Sequence, residues 1–241
     1  MRISIVVPAF NEERLFADSL RSMRSAMEAF AERGWPAELI VCDNNSDDRT
    51  AEIARAAGAR VVFEPVNQIA RARNTGAAHA AGEWLIFIDA DSQPSRELFA
   101  EAAEAMQGGR CLAGGATLAF PGCSAVARGW VALWNAVSRM TRWAAGSFVF
   151  CEAAAFRELG GFNEQLYAGE EIDLFRRLKR LARRKARTVV ILHRHPLHTS
   201  DRKLRLYTRR EHLAFLLRTC ASAGRTLRRR DQCSVWYDGR R

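Results

Sequence analysis

An α/β fold, a mostly parallel sheet with helices on both faces, is predicted by two observations. Short apolar runs alternate with helical segments through the first half of the chain. The runs Ile3–Val7 and Leu85–Ile88 are apolar at nearly every position, as strands covered on both sides require. A third observation concerns where the polar residues fall. Three clusters follow strand ends, where ligands bind in open α/β sheets.

The elements are read in order. Strands are expected over 3–8, 38–42, 60–64 and 84–88, and helices over 12–33, 49–57, 67–81 and 95–107. Asn45-Ser46-Asp47-Asp48 offers an N-cap to the second helix, and Ser92 or Ser95 offers one to the fourth. Gly108-Gly109 breaks the pattern. A strand over 111–119, a tryptophan-rich connecting region over 120–146 and a short strand over 147–151 follow. A helix starts near Gly169 and runs to about Arg184, Val189–Leu192 forms a last strand, and 202–219 forms a closing helix.

With 241 residues, 48% of them hydrophobic and 27% charged, the chain has the composition of a globular protein. No apolar run approaches the roughly 18–20 residues that span a bilayer. Met1-Arg2 leads straight into a strand without a leader's apolar region, so a cytoplasmic location is expected, with peripheral attachment at the inner face of the membrane as its extension. The six cysteines form no C-x-x-C pair and read as reduced thiols. Residues 1–175 hold 16 Lys and Arg against 23 Asp and Glu, net −7, whereas 176–241 hold 21 against 4, net +17. The basic end implies either an anionic partner or a solvated helix face.

The chemistry gathers at Asp89-Ala90-Asp91, released from the strand Trp84–Ile88. Two carboxylates at i and i+2 can converge on a hard divalent cation such as Mg²⁺ or Mn²⁺, which in turn bridges to phosphate. Pro8-Ala9-Phe10-Asn11-Glu12 follows strand one and Asp43–Asp48 follows strand two, at the matching edge. Arg71-Ala72-Arg73-Asn74-Thr75-Gly76 places an arginine fork early on the preceding helix, either facing a diphosphate or on the surface. Glu170, Glu171 and Asp173 open the later helix; they suit its dipole, and one could act as a general base.

Together these segments resemble family 2 glycosyltransferases of the GT-A fold, a Rossmann-like architecture. The match is carried by Val6–Glu13, Val41–Thr50, Ala72–Gly76, Phe87–Asp91, and Gly160–Glu164 leading to Gly169–Leu174. The resemblance implies a GT-A domain over 1–200, with a nucleotide-sugar half of about 1–110 and an acceptor and base half of about 111–200. A basic helix and tail over 201–241 would pack on it. It implies that Pro8, Ala9, Phe10 and Glu12 line the nucleotide pocket, and that Asp43 accepts a hydrogen bond from the base, typically uracil. Arg73 would lie near the diphosphate, Asp89 would contact ribose or a metal-bound water, Ala90 would belong to the nucleotide-sugar-binding set, and Asp91 would bind Mn²⁺ or Mg²⁺. His195, one of a cluster with His193 and His198, is the candidate second metal ligand. Glu171 would be the catalytic base, with Asp173 as fallback because the family more often carries Asp at the Glu171 position. The donor would be a nucleotide-diphospho-sugar, and inversion by single displacement is what the resemblance suggests.

The acceptor is a hydroxyl of unknown identity, lipid-linked or phosphorylated if the basic end meets an anionic membrane. Trp130, Trp134 and Trp143 serve acceptor stacking, contact with lipid, or core packing. Three rival readings stay open: a sugar nucleotidyltransferase, a basic nucleic-acid module, and a degenerate transferase that binds without turnover. The absence of a glycine-rich loop after strand one speaks against the first. The aliphatic and arginine character of the tail speaks against the second, so no nucleic acid is expected.

Overall fold

The computed structural model describes residues 1–200 and 225–233. The closing helix expected over 202–219, and Cys220 with it, lies outside the described residues.

Eight strands form one sheet: β1 (Ile3–Ala9), β2 (Ala37–Asp43), β3 (Arg60–Phe63), β4 (Trp84–Ile88), β5 (Ser92–Gln93), β6 (Cys111–Ala119), β7 (Phe148–Glu152) and β8 (Thr188–Thr199). Their order is β3-β2-β1-β4-β7-β6-β8-β5. The neighbours β3, β2, β1 and β4 run parallel, as do β6 and β8. β7 is antiparallel to β4 and β6 on its two sides. Because β7 reverses, it begins at the edge where β4 ends, with Ile88 opposite Phe148.

The helices are α1 (Phe16–Ala31), α2 (Thr50–Ala56), α3 (Ile69–Ala78), α4 (Arg96–Gln107), α5 (Ala125–Thr141), α6 (Ala153–Glu158) and α7 (Glu170–Arg184). Two clusters of buried side chains cover the sheet. One joins β1 and β4 to Phe16, Leu20, Met23 and Phe30 of α1 and Leu98 and Phe99 of α4. The other joins Val6, Leu85 and Phe87 to α6 and to Leu174, Phe175, Leu178 and Leu181 of α7. Alternate residues of one strand thus feed opposite faces, as a doubly covered sheet requires. α3 lies close against β1: a Cβ on Gly76 would stand 2.4 Å from Val6 Cγ1, so only glycine permits the contact.

Several elements differ from expectation. α1 starts at Phe16; before it, Asn11 takes the left-handed region and residues 11–13 donate their backbone N–H groups to side chains of the segment 46–50. Asn11 donates to Ser46 Oγ at 3.0 Å, Glu12 to Thr50 Oγ1 at 2.8 Å and Glu13 to Asp48 Oδ2 at 3.1 Å. Residues 125–141, within the expected connecting region, form α5, capped by Ser124 Oγ. β8 runs on to Thr199, well beyond Leu192, and pairs Thr199 with Ser92. Ser95, rather than Ser92, caps α4, its Oγ accepting from Leu98 N–H at 3.1 Å. The five described cysteines are all buried free thiols. Among the described residues, no helix is long and apolar enough to cross a membrane.

Candidate active site

The loops leaving β1, β2 and β4 meet at one edge because these strands are parallel and in register, Ala9 standing opposite Asp43. Pro8 and Ala9 are the buried last residues of β1, Glu12 is buried, and Phe10 is half-buried. The first two loops interlock. Asn11, in the left-handed region at φ 52°, accepts from Asp47 N–H at 2.9 Å, and Asn45 adopts φ 65° in the facing loop. Such conformations are uncommon outside glycine and cluster in sites held by their surroundings. Asp43 is buried and accepts from Ser46 N–H at 3.2 Å.

After β4 the chain turns at once. Ser92 N–H donates to the Asp89 carbonyl at 3.1 Å, and Asp89 N–H donates to the Ser147 carbonyl at 3.3 Å. Ala90 is buried, while Asp89 and Asp91 are half-buried. The Asp91 carbonyl accepts from Ser200 N–H at 3.2 Å, just past β8.

Arg73 is the centre of the arrangement. It projects from α3 and is 1% exposed. Its guanidinium donates to Asp89 Oδ1 at 2.9 Å, to Glu170 Oε1 at 2.7 Å and to the Gly146 carbonyl at 2.9 Å, and it lies 5.1 Å from the Phe162 ring centroid. One planar fork therefore joins α3, the end of β4, the segment before β7 and the first residue of α7. Two carboxylates on one guanidinium satisfy a cation that burial alone would expel.

Glu170 is thereby committed to Arg73. Asp173 is committed as well: it accepts from Arg177 Nε at 2.8 Å, and Arg177 in turn donates to the Leu159 and Gly161 carbonyls at 2.9 and 2.8 Å. Glu171 remains half-buried at the first turn of α7. Desolvation, with the neighbouring Glu170 charge added and Arg73 opposing, pushes its carboxyl up to about 8.

His195 sits elsewhere on β8. Its backbone N–H donates to Glu101 Oε2 of α4 at 3.2 Å. The histidine that β8 places opposite Gln93, two residues past Asp91, is His198. Among the described residues no group of three or more His, Cys, Asp or Glu side chains is gathered to hold a metal. The carboxylates at the end of β4 are Asp89 and Asp91, and a cation of the Mg²⁺ type takes one or two carboxylates and completes its shell from substrate phosphates and water.

Sequence reasoning missed the residues that fasten the two halves of the site together. Asn74 of α3 accepts from Phe162 N–H and donates to its carbonyl, both at 2.9 Å, and donates to Glu164 at 2.9 Å. Gln68 donates to the Glu164 and Leu166 carbonyls at 2.7 and 2.9 Å. Arg71 bridges Glu64 and Glu164 at 3.3 and 3.0 Å. Although burial acts to raise it, Glu64 is held below the usual carboxylate range by bonds from Thr75, Val66 N–H and Arg71. The signal available was Gly161: at φ +74° a Cβ there would stand 2.6 Å from Asn74 Oδ1.

The profile of the family described as Glycosyl transferase family 2 matches residues 4–157. The 4,4'-diaponeurosporenoate glycosyltransferase of Staphylococcus haemolyticus is 35% identical over 107 residues, covering 42% of this chain and 27% of that protein. The UDP-Glc:alpha-D-GlcNAc-diphosphoundecaprenol beta-1,3-glucosyltransferase WfgD of Escherichia coli is 31% identical over 93 residues, covering 37% of this chain and 34% of that one. These matches span only about a third of the relatives' length. Among solved structures, the mannosyltransferase PcManGT of Pyrobaculum calidifontis, in complex with GDP-Man and Mn²⁺, superposes with a TM-score of 0.64 at 18% identity. The superposition covers 94% of this chain and 62% of that one, and the shared architecture is GT-A.

Proposed function

The chain belongs to glycosyl transferase family 2, and from that premise we propose that it transfers a sugar from a nucleotide-diphosphate sugar to a hydroxyl acceptor. The observation that carries the reading is the Arg73 fork. It holds Asp89, beside the candidate metal ligand Asp91, and Glu170, beside the candidate base Glu171, in one buried network.

Each residue has a task in this reading. The interlocked loops Pro8–Glu12 and Asp43–Asp48 form the floor for the nucleoside, with Asp43 turned to the base and Asp89 and Ala90 on the ribose side. Arg73 reaches the diphosphate region by way of Asp89, whose carboxylate it orients. Asp91, with Asp89 behind it, would hold Mn²⁺ or Mg²⁺; His195, expected from the resemblance as a further ligand, is tied instead by its backbone N–H to Glu101 of α4, and the histidine that β8 sets opposite Gln93 is His198. When bound there, such a cation would supply charge to offset the leaving diphosphate. Glu171 takes the acceptor's hydroxyl proton as the oxygen attacks the anomeric carbon, and a single displacement of this kind inverts the configuration. Glu171 is preferred to Asp173 because the Asp173 carboxylate is engaged by Arg177.

UDP is the proposed carrier. WfgD is named for UDP-Glc, and PcManGT was solved with GDP-Man, so both bases belong in the test. A lipid-linked acceptor is proposed from the excess of Lys and Arg over 176–241 and from the diphosphoundecaprenol in the name of WfgD. The experiment is thermal unfolding with UDP or GDP, with and without Mn²⁺. A saturating nucleotide should raise Tm by about 5 °C or more, and Asp91→Ala should abolish the metal-dependent part. No metal-dependent shift with either nucleotide would defeat the reading.

A further inference from the structure

α5 differs from every other described helix in what it shows to solvent. Its inner side carries Asn135, which exchanges hydrogen bonds with Leu118 N–H and carbonyl at 3.0 and 2.9 Å, and the buried Ser138. Its outer side is apolar. At about 100° per residue, Gly129, Leu133, Ala136 and Met140 fall on one line, with Trp130 and Val137 along one flank. Met140 is 85% exposed, Trp130 67% and Leu133 54%. No charged residue falls in that arc; Arg128 and Arg139 stand at its opposite rim. Three large apolar side chains in a row, all turned to water, mark a contact surface rather than scattered exposure.

A band of cations adjoins this row. Arg142 ends α5 in the left-handed region. Lys179 of α7 donates to the Thr141 carbonyl at 2.6 Å, and Arg176 lies over the Trp143 ring at 5.2 Å, so α7 abuts the end of α5. Arg176, Arg180 and Arg183 are exposed along α7. Lys179 is pushed below the usual lysine range chiefly by desolvation, with the Arg183 and Arg142 charges adding to it. Arg139 and Arg142 also line a cleft of about 320 Å³ with Thr188, Ile191 and His193, room enough for a phosphate headgroup.

We propose that the outer face of α5 docks on an anionic phospholipid surface, with Trp130, Leu133 and Met140 entering the interface and the arginines of α5 and α7 meeting headgroups. An apolar face with a tryptophan and a cationic rim is the pattern of helices that lie in the plane of a bilayer. A second copy of the chain fits less well, since it would bring two arginine rims together. The docking goes beyond the transfer chemistry and does not depend on it.

The test is co-sedimentation of the full chain with vesicles of phosphatidylcholine alone and of phosphatidylcholine mixed with phosphatidylglycerol. Wild type should bind the mixed vesicles at low salt and be released as salt rises. Leu133→Glu/Met140→Glu should weaken binding by about tenfold or more, and Arg139→Glu/Arg142→Glu should remove the preference for anionic lipid. The substituted side chains are exposed, so Tm should stay within about 2 °C of wild type, where surface substitutions fall. Failure of wild type to bind mixed vesicles, or unchanged binding of the Leu133/Met140 variant, would overturn the proposal. So would loss of binding only in Arg228→Glu/Arg229→Glu/Arg230→Glu, or a variant that alters oligomeric mass while lipid binding persists. The nucleotide-dependent Tm shift, measured in the same variants, reports on the transferase reading separately.

Discussion

Glu171 and Glu170 are adjacent carboxylates with opposite fates. Glu170 lies on the Arg73 fork, whereas Glu171 bears the cost of desolvation and of its neighbour's charge. Its carboxyl titrates near 8 when folded against a reference value of 4.5, so the folded chain holds an extra proton between those values. The associated stability is fully present below about 4.5 and is lost as pH rises through about 8. Glu171→Gln should therefore leave unfolding unchanged in acid and stabilise the chain at pH above 8 relative to wild type, by urea denaturation across pH. The same variant should lower transfer by about 10²–10⁴-fold, while wild-type kcat/KM climbs toward a plateau above about 8. A variant that keeps full transfer, or a flat wild-type profile, would place the base elsewhere. At this scale the sequence was informative about residue type at strand ends, because chemistry there leaves few alternatives. It was uninformative about which of three close carboxylates is engaged, since that depends on Arg73 and Arg177 arriving from other elements.

Elements whose signals are local were legible. The parallel strands β1, β2 and β4 and the helix α4 declare themselves through apolar runs and a serine cap. Others depend on distant partners. β5 is two residues long and exists because β8 runs far enough to meet it. The pairing of β8 with β6 is irregular between Leu192 and Leu197, and there Glu101 accepts from the backbone N–H groups of His193, Arg194 and His195 at 3.3, 3.5 and 3.2 Å. α5 was hidden because its apolar residues line the outer as well as the inner side, which blurs the helical period. α3 is the element that fastens the segment 160–168 through Gln68, Arg71 and Asn74. Asn74→Ala should cost about 1–3 kcal/mol, because it strips partners from the Phe162 N–H and carbonyl. Urea denaturation measures it; a change under about 0.5 kcal/mol, the level of an ordinary surface substitution, would show that the clasp is dispensable.

The whole molecule is one sheet made from two runs of chain. Residues 3–88 supply the parallel block β3-β2-β1-β4, and residues 92–199 supply the rest. Arg73 spans the junction. Arg73→Met should leave Asp89 and Glu170 without their cation and cost about 3–5 kcal/mol. Adding Glu170→Gln should restore part of that loss. Equal stability of the single and double variants in denaturant titration would show that Asp89 alone bears the penalty.

That guanidinium also sets a schedule on chain synthesis. Asp89 follows Arg73 by 16 residues, but Glu170 follows it by 97. At about 5–20 residues per second, the arginine is translated several seconds before its second counter-charge exists. Until then the Arg73 guanidinium has only Asp89 to pair with, and its second carboxylate arrives with the first turn of α7.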